Sequence, residues 1–246
     1  MAPPASAAGS GSFSPAPSLG TPRTGPSAVL LAEGRVLVAG GYYNVSPALG
    51  NAEVFVNGGF SSAGIGSLAT PRQQAAAARL GDGRVLLAGG FNDISYLSST
   101  EIFNPTTNSF GPALSMPGPR GAAVAAPLPN GSVLIAGGNT DGAPSHVLAS
   151  AFVYHAATNS YTLTGAMTTP REHAVAAPLP DGRVLVAGGF DGSSYLSSAE
   201  IFDPVTGSFS SAGVGSMTVP REGAAAAPLP DGRVLIAGGY SPALLA

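Results

Sequence analysis

The chain has 246 residues, of which 44% are hydrophobic and only 9% are charged. Its formal net charge is −3 and its ten basic residues are all arginine, so it lacks the basic field that nucleic-acid binding requires. It contains no cysteine, which excludes disulfides, thiolate metal sites and a cysteine nucleophile.

The N-terminal stretch MAPPASAAGSGSF has neither a basic start nor an apolar run of the kind found in secretory signals. No apolar run in the chain approaches the length that crosses a bilayer. We therefore expect a soluble protein without membrane insertion, in which residues 1–10 are a flexible segment. The compartment stays open, with an extracytoplasmic location slightly favoured.

A phrase close to DGRVLVAGG occurs five times and ends at Gly41, Gly90, Gly138, Gly189 and Gly239. Successive copies lie 49, 48, 51 and 50 residues apart. A fixed period near 50 residues is typical of repeat proteins in which each unit buries its apolar side against its neighbours. The 35 glycines and 23 prolines are periodic as well, so they mark turns.

Each period divides into four short predicted strands. The first is a small apolar segment after a Pro-Arg pair, such as GAAVAAPL after Arg120. An Asp-Gly or Asn-Gly turn leads to the second, RVLVAGG, whose continuous apolar residues predict burial on both faces. A third strand around Glu101-Ile102-Phe103 and a fourth ending at Phe110 complete the unit. Four antiparallel strands with short links form one blade of a β-propeller, so the predicted fold class is all-β.

The repeated pattern resembles the kelch repeat. The resemblance rests on the Gly-Gly pair that ends strand two, the aromatic residues of strands three and four, and the Pro-Arg pair that follows. It covers the chain from about Ser12 to Gly239. Strand four carries Phe or Tyr where kelch repeats often carry Trp. The resemblance implies a single propeller domain over residues 1–246.

The number of blades is ambiguous. Residues 24–60, 73–110, 121–161 and 172–209 are four complete units, and residues 222–240 supply two strands of a fifth. Ser12-Phe13 precedes Arg23 by the same ten residues that separate Phe110 from Arg120, so residues 11–16 read as an outermost strand. We expect this strand to complete the last blade and close a five-bladed ring. The alanine-rich first strands suit a narrow centre.

The third strand of that last blade has no counterpart in the sequence, because residues 4–9 contain no β-forming apolar core. Three arrangements fit this absence. The closing blade is irregular, the chain is part of a longer propeller, or a second chain completes the blade. The protein is accordingly expected to be a monomer, or a dimer in the third case.

Function is expected in the loops, because strand alternation places two kinds of connection on opposite faces. The turn face carries the first-to-second and third-to-fourth turns, which are tight and have little to offer a ligand. The loop-rich face carries the second-to-third loops and the links between blades, with aromatic residues beside amides and carboxylates, a composition typical of recognition surfaces. Its candidate ligand-binding residues are Tyr42, Tyr43, Phe91, Asp93, Asn139, Asp141, His146, Phe190 and Asp191. Tyr96 and Tyr195 recur in one context, LSS following each, which favours a packing role.

The kelch resemblance adds two candidates at the channel mouth. Kelch relatives often place residues facing the mouth two positions beyond the Pro-Arg arginine. Gln74 and His173 hold that position in repeats two and four, where other repeats have Gly or Ala. The arginines themselves are expected to be structural, each paired with a glutamate about 30 residues on. Repeat three has Ala151 at that place, so Arg120 is expected to be less constrained.

Catalysis has thin support, because no histidine pair has metal-ligand spacing and neither a nucleophile elbow nor a phosphate loop occurs. No cofactor or metal is expected, and the copper oxidases of the kelch family are excluded because they need a cysteine. The favoured hypothesis is a non-catalytic module that binds a protein or glycan through the loop-rich face. The alternative is a sugar epimerase or lyase at the channel mouth, with His173 and Asp141 or Asp191 as acid and base.

Overall fold

The computed structural model describes residues 16–44 and 47–241, and these form antiparallel sheets in chain order. Four sheets have four strands each and a fifth has two. The strands are β1 (Ser27–Leu30), β2 (Val36–Ala39), β3 (Ala52–Val56) and β4 (Gly59–Ser61); β5 (Ala76–Arg79), β6 (Val85–Ala88), β7 (Thr100–Asn104) and β8 (Ser109–Ala113); β9 (Val124–Pro127), β10 (Val133–Ala136), β11 (Ala151–His155) and β12 (Ser160–Leu163); β13 (Val175–Pro178), β14 (Val184–Ala187), β15 (Ala199–Asp203) and β16 (Ser208–Ser210); and β17 (Ala225–Pro228) with β18 (Val234–Ala237).

Each complete sheet is a propeller blade in which successive strands are hydrogen-bonded neighbours. The second strand of a blade is covered on both faces, as its apolar run predicts: Val85, Leu86 and Leu87 of β6 are all buried. The turn before it depends on Gly83, whose φ of +89° is a conformation that favours glycine. Strand three contributes an aromatic residue that packs on strand four, as Phe103 does on Phe110 at 5.0 Å between ring centroids.

The first strands of all five sheets surround one central channel. Its cavity of about 320 Å³ is lined mainly by small side chains, including Ala75–Ala77, Ala123, Ala125, Ala174, Ala176, Ala224 and Ala226. The predicted position of the alanine-rich strands next to the axis is therefore confirmed. Small side chains allow the first strands of neighbouring blades to approach closely.

Successive blades are joined by a backbone hydrogen bond from the Gly-Gly pair. The second glycine of each pair donates its N–H to the carbonyl of the next arginine, as Gly90 does to Arg120 at 2.9 Å. The first glycine has no room for a side chain, because a Cβ on Gly89 would lie 2.1 Å from that same carbonyl. The Gly-Gly pair thus ends strand two and also holds the next blade in place.

The prediction of a five-bladed ring is wrong for the described residues. They form four complete blades and the two-stranded sheet of β17 and β18. The links between blades also stop there. A Cβ on Gly238 would meet nothing within 4 Å, whereas the carbonyl of the next arginine fills that place in the four preceding repeats. By the spacing of Gly189 to Glu200, the third strand of a fifth blade would begin beyond residue 246. The proposed closing strand at Ser12-Phe13 lies outside the described residues.

Helix is nearly absent, as predicted. Within the described ranges the only helical segments are two 3₁₀ turns of three residues, Ala32–Gly34 and Pro144–His146. A search of the same residues finds no helix with the length and apolar character needed to span a membrane.

Candidate functional site

The two faces of the propeller have the composition that strand direction predicts. The Asp-Gly turns lie at one end of the strands, and the loops that begin at Phe91 and Phe190 lie at the other. These loops are ordered, because Phe91 and Phe190 form isolated β-bridges to the residues after the repeat arginines. The loop-rich face is therefore built on extensions of the two inner strands of each blade.

Four of the five repeat arginines have side chains buried inside the blades, namely Arg23, Arg72, Arg120 and Arg171. Nη1 of Arg72 donates to the carbonyls of Gly89 and Ser99 at 2.8 and 2.9 Å, which ties the end of strand two to the start of strand three. Nη2 binds a carboxylate in three repeats: Arg23 with Glu53, Arg72 with Glu101 and Arg171 with Glu200, at 2.9, 2.9 and 3.0 Å. The predicted pairing is confirmed, and these arginines belong to the scaffold.

Two of the paired glutamates, Glu53 and Glu200, have a lowered pKa and are ionised at neutral pH. Glu200 accepts N–H groups from Thr168 and Thr169 at 2.7 and 3.1 Å. Burial raises the pKa of Glu200, but the two N–H donors and Arg171 together outweigh burial and hold that pKa below its ordinary value. The same balance lowers the pKa of Glu53.

Repeat three departs from this arrangement, and the prediction for it was wrong by one residue. Phe152 pairs with Ile135 in the register that Glu101 has with Leu87, so Phe152 and not Ala151 stands at the glutamate position. The sequence held a signal of this offset, because Tyr154 takes the place of Phe103 and thereby puts Phe152 at the place of Glu101. An aromatic ring therefore replaces the carboxylate beside the buried arginine.

Arg120 is nevertheless held firmly, contrary to expectation. Its Cζ lies 4.5 Å from the centroid of the Phe152 ring, in cation–π geometry. Nη1 donates to the carbonyls of Gly137 and Ser150 at 2.9 and 3.0 Å, and the residue is 2% exposed. Burial without a carboxylate lowers the pKa of Arg120 to about 10.

The residues two positions beyond each arginine form what we call the carbonyl belt: Gly25, Gln74, Ala122, His173 and Gly223. The backbone N–H of each member donates to the carbonyl of the one before, at 2.8–3.0 Å, across four successive blade junctions. All five have a positive φ, between 51° and 62°. Gln74 and His173 therefore hold equivalent belt positions and are separated by Ala122.

A cluster of titratable groups at the belt was missed by the sequence reasoning. His173 Nδ1 lies 3.8 Å from Glu222 Oε2, and Glu172 is the neighbour of His173 in the chain. Burial is the main cause that raises the pKa of Glu172, and the charge of Glu222 acts in the same direction. The available signal was that the position directly after the repeat arginine differs between repeats, being Glu only in the last two.

The long loop of repeat three is organised by its own polar side chains. Asn139 is buried, donates to the carbonyl of Ala143 at 2.9 Å and accepts the N–H of Gly142 at 2.8 Å. Asp141 accepts a hydrogen bond from His146 Nδ1 at 2.6 Å, and both side chains are about half exposed. The N–H of Ala143 and the bond from His146 lower the pKa of Asp141. Asn139 is thus a structural residue, whereas Asp141 and His146 present a polar pair to solvent.

The remaining candidate carboxylates stabilise loops, Asp191 its own loop and Asp93 the contact with the preceding repeat. Asp191 accepts the N–H groups of Ser193 and Ser194 at 2.8 and 2.7 Å. Asp93 accepts from Gln73 Nε2 at 3.2 Å and from the N–H of Ala48 in the preceding repeat. The acid–base pairs of the enzyme hypothesis, His173 with Asp141 or Asp191, are not brought into contact, because each of these groups is engaged elsewhere.

The aromatic candidates pack on one another between loops. The rings of Phe91 and Tyr96 are 5.1 Å apart, and those of Phe190 and Tyr195 are 5.2 Å apart. A Cβ on Gly121 of the next blade would lie 2.7 Å from Tyr96, which shows how closely that ring is covered. The expected packing role of the two tyrosines is confirmed. Tyr42 is partly buried in a bridge to Thr24, while Tyr43 is exposed.

Charge divides unequally between the two faces. The turn face is balanced, with Arg35, Arg79, Arg84, Arg183 and Arg233 against Glu33, Asp82, Asp181, Asp203 and Asp231. The loop-rich face carries Asp93, Asp141, Asp191, Glu172 and Glu222 against Arg221 and the two histidines His146 and His173. At neutral pH the loop-rich face is therefore acidic, with five carboxylates against one arginine.

A large cavity lies on the turn face, where little was expected. It has a volume of about 620 Å³ and is lined by residues that include Asp82, Arg84, Ser132 and His155. These groups are already paired: Arg84 binds Asp82 at 2.7 Å, and His155 Nδ1 lies 3.0 Å from Ser132 Oγ. Because these titratable groups bind one another or a neighbour on the same face, we place the candidate site on the loop-rich face.

No group of three or more His, Asp or Glu side chains is placed to hold a metal ion in residues 16–44 and 47–241. The histidines contact different partners, His146 on Asp141, His155 on Ser132 and His173 near Glu222. The loop-rich face can therefore offer a ligand carboxylates, imidazoles and the edges of aromatic rings.

Comparison with known proteins adds one family. The model of the kelch motif matches residues 75–112 and residues 173–213, which span most of the blades β5–β8 and β13–β16. No curated protein matches the chain. The two motif matches fall on blades whose Gly-Gly pairs, paired aromatics and buried arginines recur in register around a common channel, which supports a kelch-repeat β-propeller family.

Proposed function

We propose that the chain is a non-catalytic binding module that binds a protein or glycan through its loop-rich face. Kelch propellers are commonly protein-interaction modules, which supports the general role. The observation that carries the proposal is the unequal charge of the two faces. Five carboxylates on the loop-rich face are set against one arginine, whereas the turn face is balanced.

The acidic surface favours a partner with a basic surface over a neutral glycan. Complementary charge accelerates association and rejects partners of like charge. The loops that display these carboxylates are held by internal hydrogen bonds, such as those of Asn139 to Ala143 and Gly142, so little order is lost on binding. The contacts that distinguish partners are expected from the belt residues Gln74 and His173 and from His146.

The proposal is tested with arrays of Lys/Arg-rich peptides, acidic peptides and glycans, probed with the fluorescently labelled full chain. We expect retention on basic peptides that weakens as salt rises, because the exposed charges are screened. Asp141→Asn should weaken retention, and Asp231→Asn on the turn face is the matched control. Equal effects of the two substitutions, or retention on acidic peptides, would contradict the proposal.

Histidine substitutions test the same site in a second way. His173→Ala and His146→Ala should weaken binding without changing the far-UV circular dichroism spectrum. His155→Ala removes a histidine from the turn face and should leave binding unchanged. If all three lower binding equally, the loop-rich face is not the site.

We also infer that the segment around Ser12-Phe13 supplies an outer strand to the sheet of β17 and β18. Support comes from its spacing before Arg23, which equals the spacing of Phe110 before Arg120. An outer strand there would protect a sheet edge that is open in the described residues. Truncation of this segment is the test, and it is described in the Discussion.

A further inference from the structure

A groove on the turn face lies where blade β5–β8 meets blade β9–β12, and we call it the junction groove. Its volume of about 620 Å³ is within the range of small-molecule sites, about 300–1,000 Å³. Both blades that form it have four strands, and it lies away from the two-stranded sheet of β17 and β18. Its walls include Asp82 and Arg84 of the earlier blade and Asn130, Ser132, His155 and Ala157 of the later one.

The next junction, between blades β9–β12 and β13–β16, has an equivalent but smaller groove of about 370 Å³. Its later wall carries Asp181, Arg183 and Asp203. The strand registers make these residues the counterparts of the amide, hydroxyl and imidazole that line the junction groove. Serine is much smaller than arginine, which accounts for the wider space. Among the described residues that line the junction groove, Asp82 is the only carboxylate.

Arg84 and Asn130 have N–H groups left for a ligand. Nε and Nη2 of Arg84 bind Oδ2 of Asp82 at 2.8 and 2.7 Å, and the backbone N–H of Arg84 binds Oδ1 at 3.0 Å. The described residues provide no partner for Nη1 of Arg84. Asn130 Oδ1 accepts the N–H of Ser132 at 3.0 Å, while Asn130 Nδ2 has no acceptor in residues 16–44 and 47–241. The carboxylate is thus occupied and the remaining groups are donors.

A backbone N–H is also left over at the turn between strands three and four. In blade β13–β16 the side chain of Asp203 accepts the N–H of Val205 at 2.8 Å. His155 stands in the place of Asp203, and its ring binds two hydroxyl groups instead, with Nδ1 at 3.0 Å from Ser132 Oγ. The N–H of Ala157, which is equivalent to that of Val205, therefore has no acceptor in the described part of the chain.

The junction groove offers N–H donors without a free carboxylate, which favours a ligand rich in acceptor oxygens. A carboxylate matches the planar guanidinium of Arg84, whereas the charge of Asp82 would oppose a dianionic phosphate more strongly. We propose that the junction groove binds a small hydroxylated carboxylate through Arg84, with Asn130 and Ala157 as further donors to its oxygen atoms. This site is separate from the loop-rich face and does not depend on the function proposed for that face.

The experiment titrates the full chain with D-gluconate and with sorbitol, in which an alcohol replaces the carboxylate, and follows binding by saturation-transfer-difference NMR. Gluconate should bind saturably and about tenfold more tightly than sorbitol or better, because the carboxylate makes charge-assisted hydrogen bonds. Sorbitol 6-phosphate should bind more weakly than gluconate. Tighter binding of the phosphate would overturn the assignment to a carboxylate.

Substitutions locate the site, after circular dichroism has shown that each variant keeps the wild-type spectrum. Asn130→Asp with Ser132→Arg gives this wall the Asp-Gly-Arg sequence of other repeats, and it should abolish saturable binding of gluconate. Arg84→Gln should bring the affinities for gluconate and sorbitol to within about threefold of each other. Arg183→Gln at the next junction is the matched control and should bind gluconate like the wild type.

Three results would overturn the proposal. The first is absence of saturable gluconate binding to the wild-type chain. The second is undiminished gluconate binding in the double variant of Asn130 and Ser132, or an undiminished preference over sorbitol in Arg84→Gln. The third is an equal loss of binding in Arg183→Gln, which would show that the effect of the arginine is not confined to the junction groove.

Discussion

Two repeat arginines allow the worth of a buried ion pair to be measured within one molecule. Arg171 and Arg120 occupy equivalent positions, and both are buried and bonded to two carbonyls. Arg171 also binds a carboxylate on Glu200, whereas Arg120 lies over the ring of Phe152. Replacing each arginine with methionine keeps the apolar stem and removes the guanidinium. The two variants should therefore differ chiefly by the effect of the carboxylate.

Arg171→Met strands a carboxylate that is almost fully buried and retains only two N–H donors. Breaking a buried pair in this way costs about 3–5 kcal/mol of unfolding free energy. Arg120→Met strands only carbonyl groups and a hydroxyl, at about 1–3 kcal/mol. It also removes the cost of burying the charged guanidinium, which lowers the pKa of Arg120 to about 10 and corresponds to a free energy on the order of 3 kcal/mol. The midpoints of the two costs differ by about 2 kcal/mol and the relief widens the gap, so we expect Arg171→Met to be the more destabilising variant by about 2–5 kcal/mol.

Urea unfolding at pH 7, followed by far-UV circular dichroism, measures both variants against the wild type. Glu200→Gln in the Arg171→Met background is the control, because it removes the stranded charge and should restore part of the lost stability. Equal destabilisation by the two arginine substitutions, or failure of Glu200→Gln to restore any, would refute the assignment of the difference to the carboxylate.

Three further outcomes are expected. The pKa of Glu200 is lowered in the folded state, so ionised Glu200 stabilises the fold at neutral pH. This stabilisation is lost as pH falls below about 4.3, the pKa of an unfolded glutamate, and through the lower folded-state pKa. Glu200→Gln should therefore flatten this part of the acid unfolding curve. Gly89→Ala should lower the unfolding free energy by several kcal/mol, because the added Cβ would meet the Arg120 carbonyl. Gly58→Ala is the matched control, since Gly58 has a similar φ and open space, and it should cost about 1 kcal/mol; urea unfolding measures both. Removing residues 1–16 should lower the thermal unfolding midpoint while removing residues 1–10 should not; an unchanged midpoint for the longer truncation would contradict an outer strand at Ser12-Phe13.

Most of the scaffold could be predicted from the sequence because its signals are local and repeated. The Asp-Gly turns, the apolar second strands and the aromatic pairs each depend on neighbours within one blade. The Arg–Glu pairs were predictable as well, since their spacing recurs in three repeats. Recurrence made these features visible without any knowledge of the packing between blades.

The site was less accessible to sequence reasoning, because its residues meet only through the junctions between blades. Glu222 comes near His173 because the carbonyl belt joins repeats four and five, a contact that no spacing within one repeat reveals. Asn139 was a candidate for binding, yet its side chain holds its own loop and also bonds to Glu172. A polar residue in a variable loop can thus serve the loop, and only its hydrogen-bond partners distinguish the two roles.

Repeat three, which lacks the paired glutamate, shows which contacts of the repeat arginine are the same in all complete blades. Where Phe152 replaces the glutamate, Pro117 stands in place of Ala69 of repeat two, whose N–H binds the carboxylate. A proline has no N–H, so the acceptor and one of its donors are absent together. The arginine persists, and its bonds to two carbonyls persist with it. Its constant task is therefore to join strands two and three, and differences in binding between repeats must arise from the residues beside it, such as Glu172 and His173.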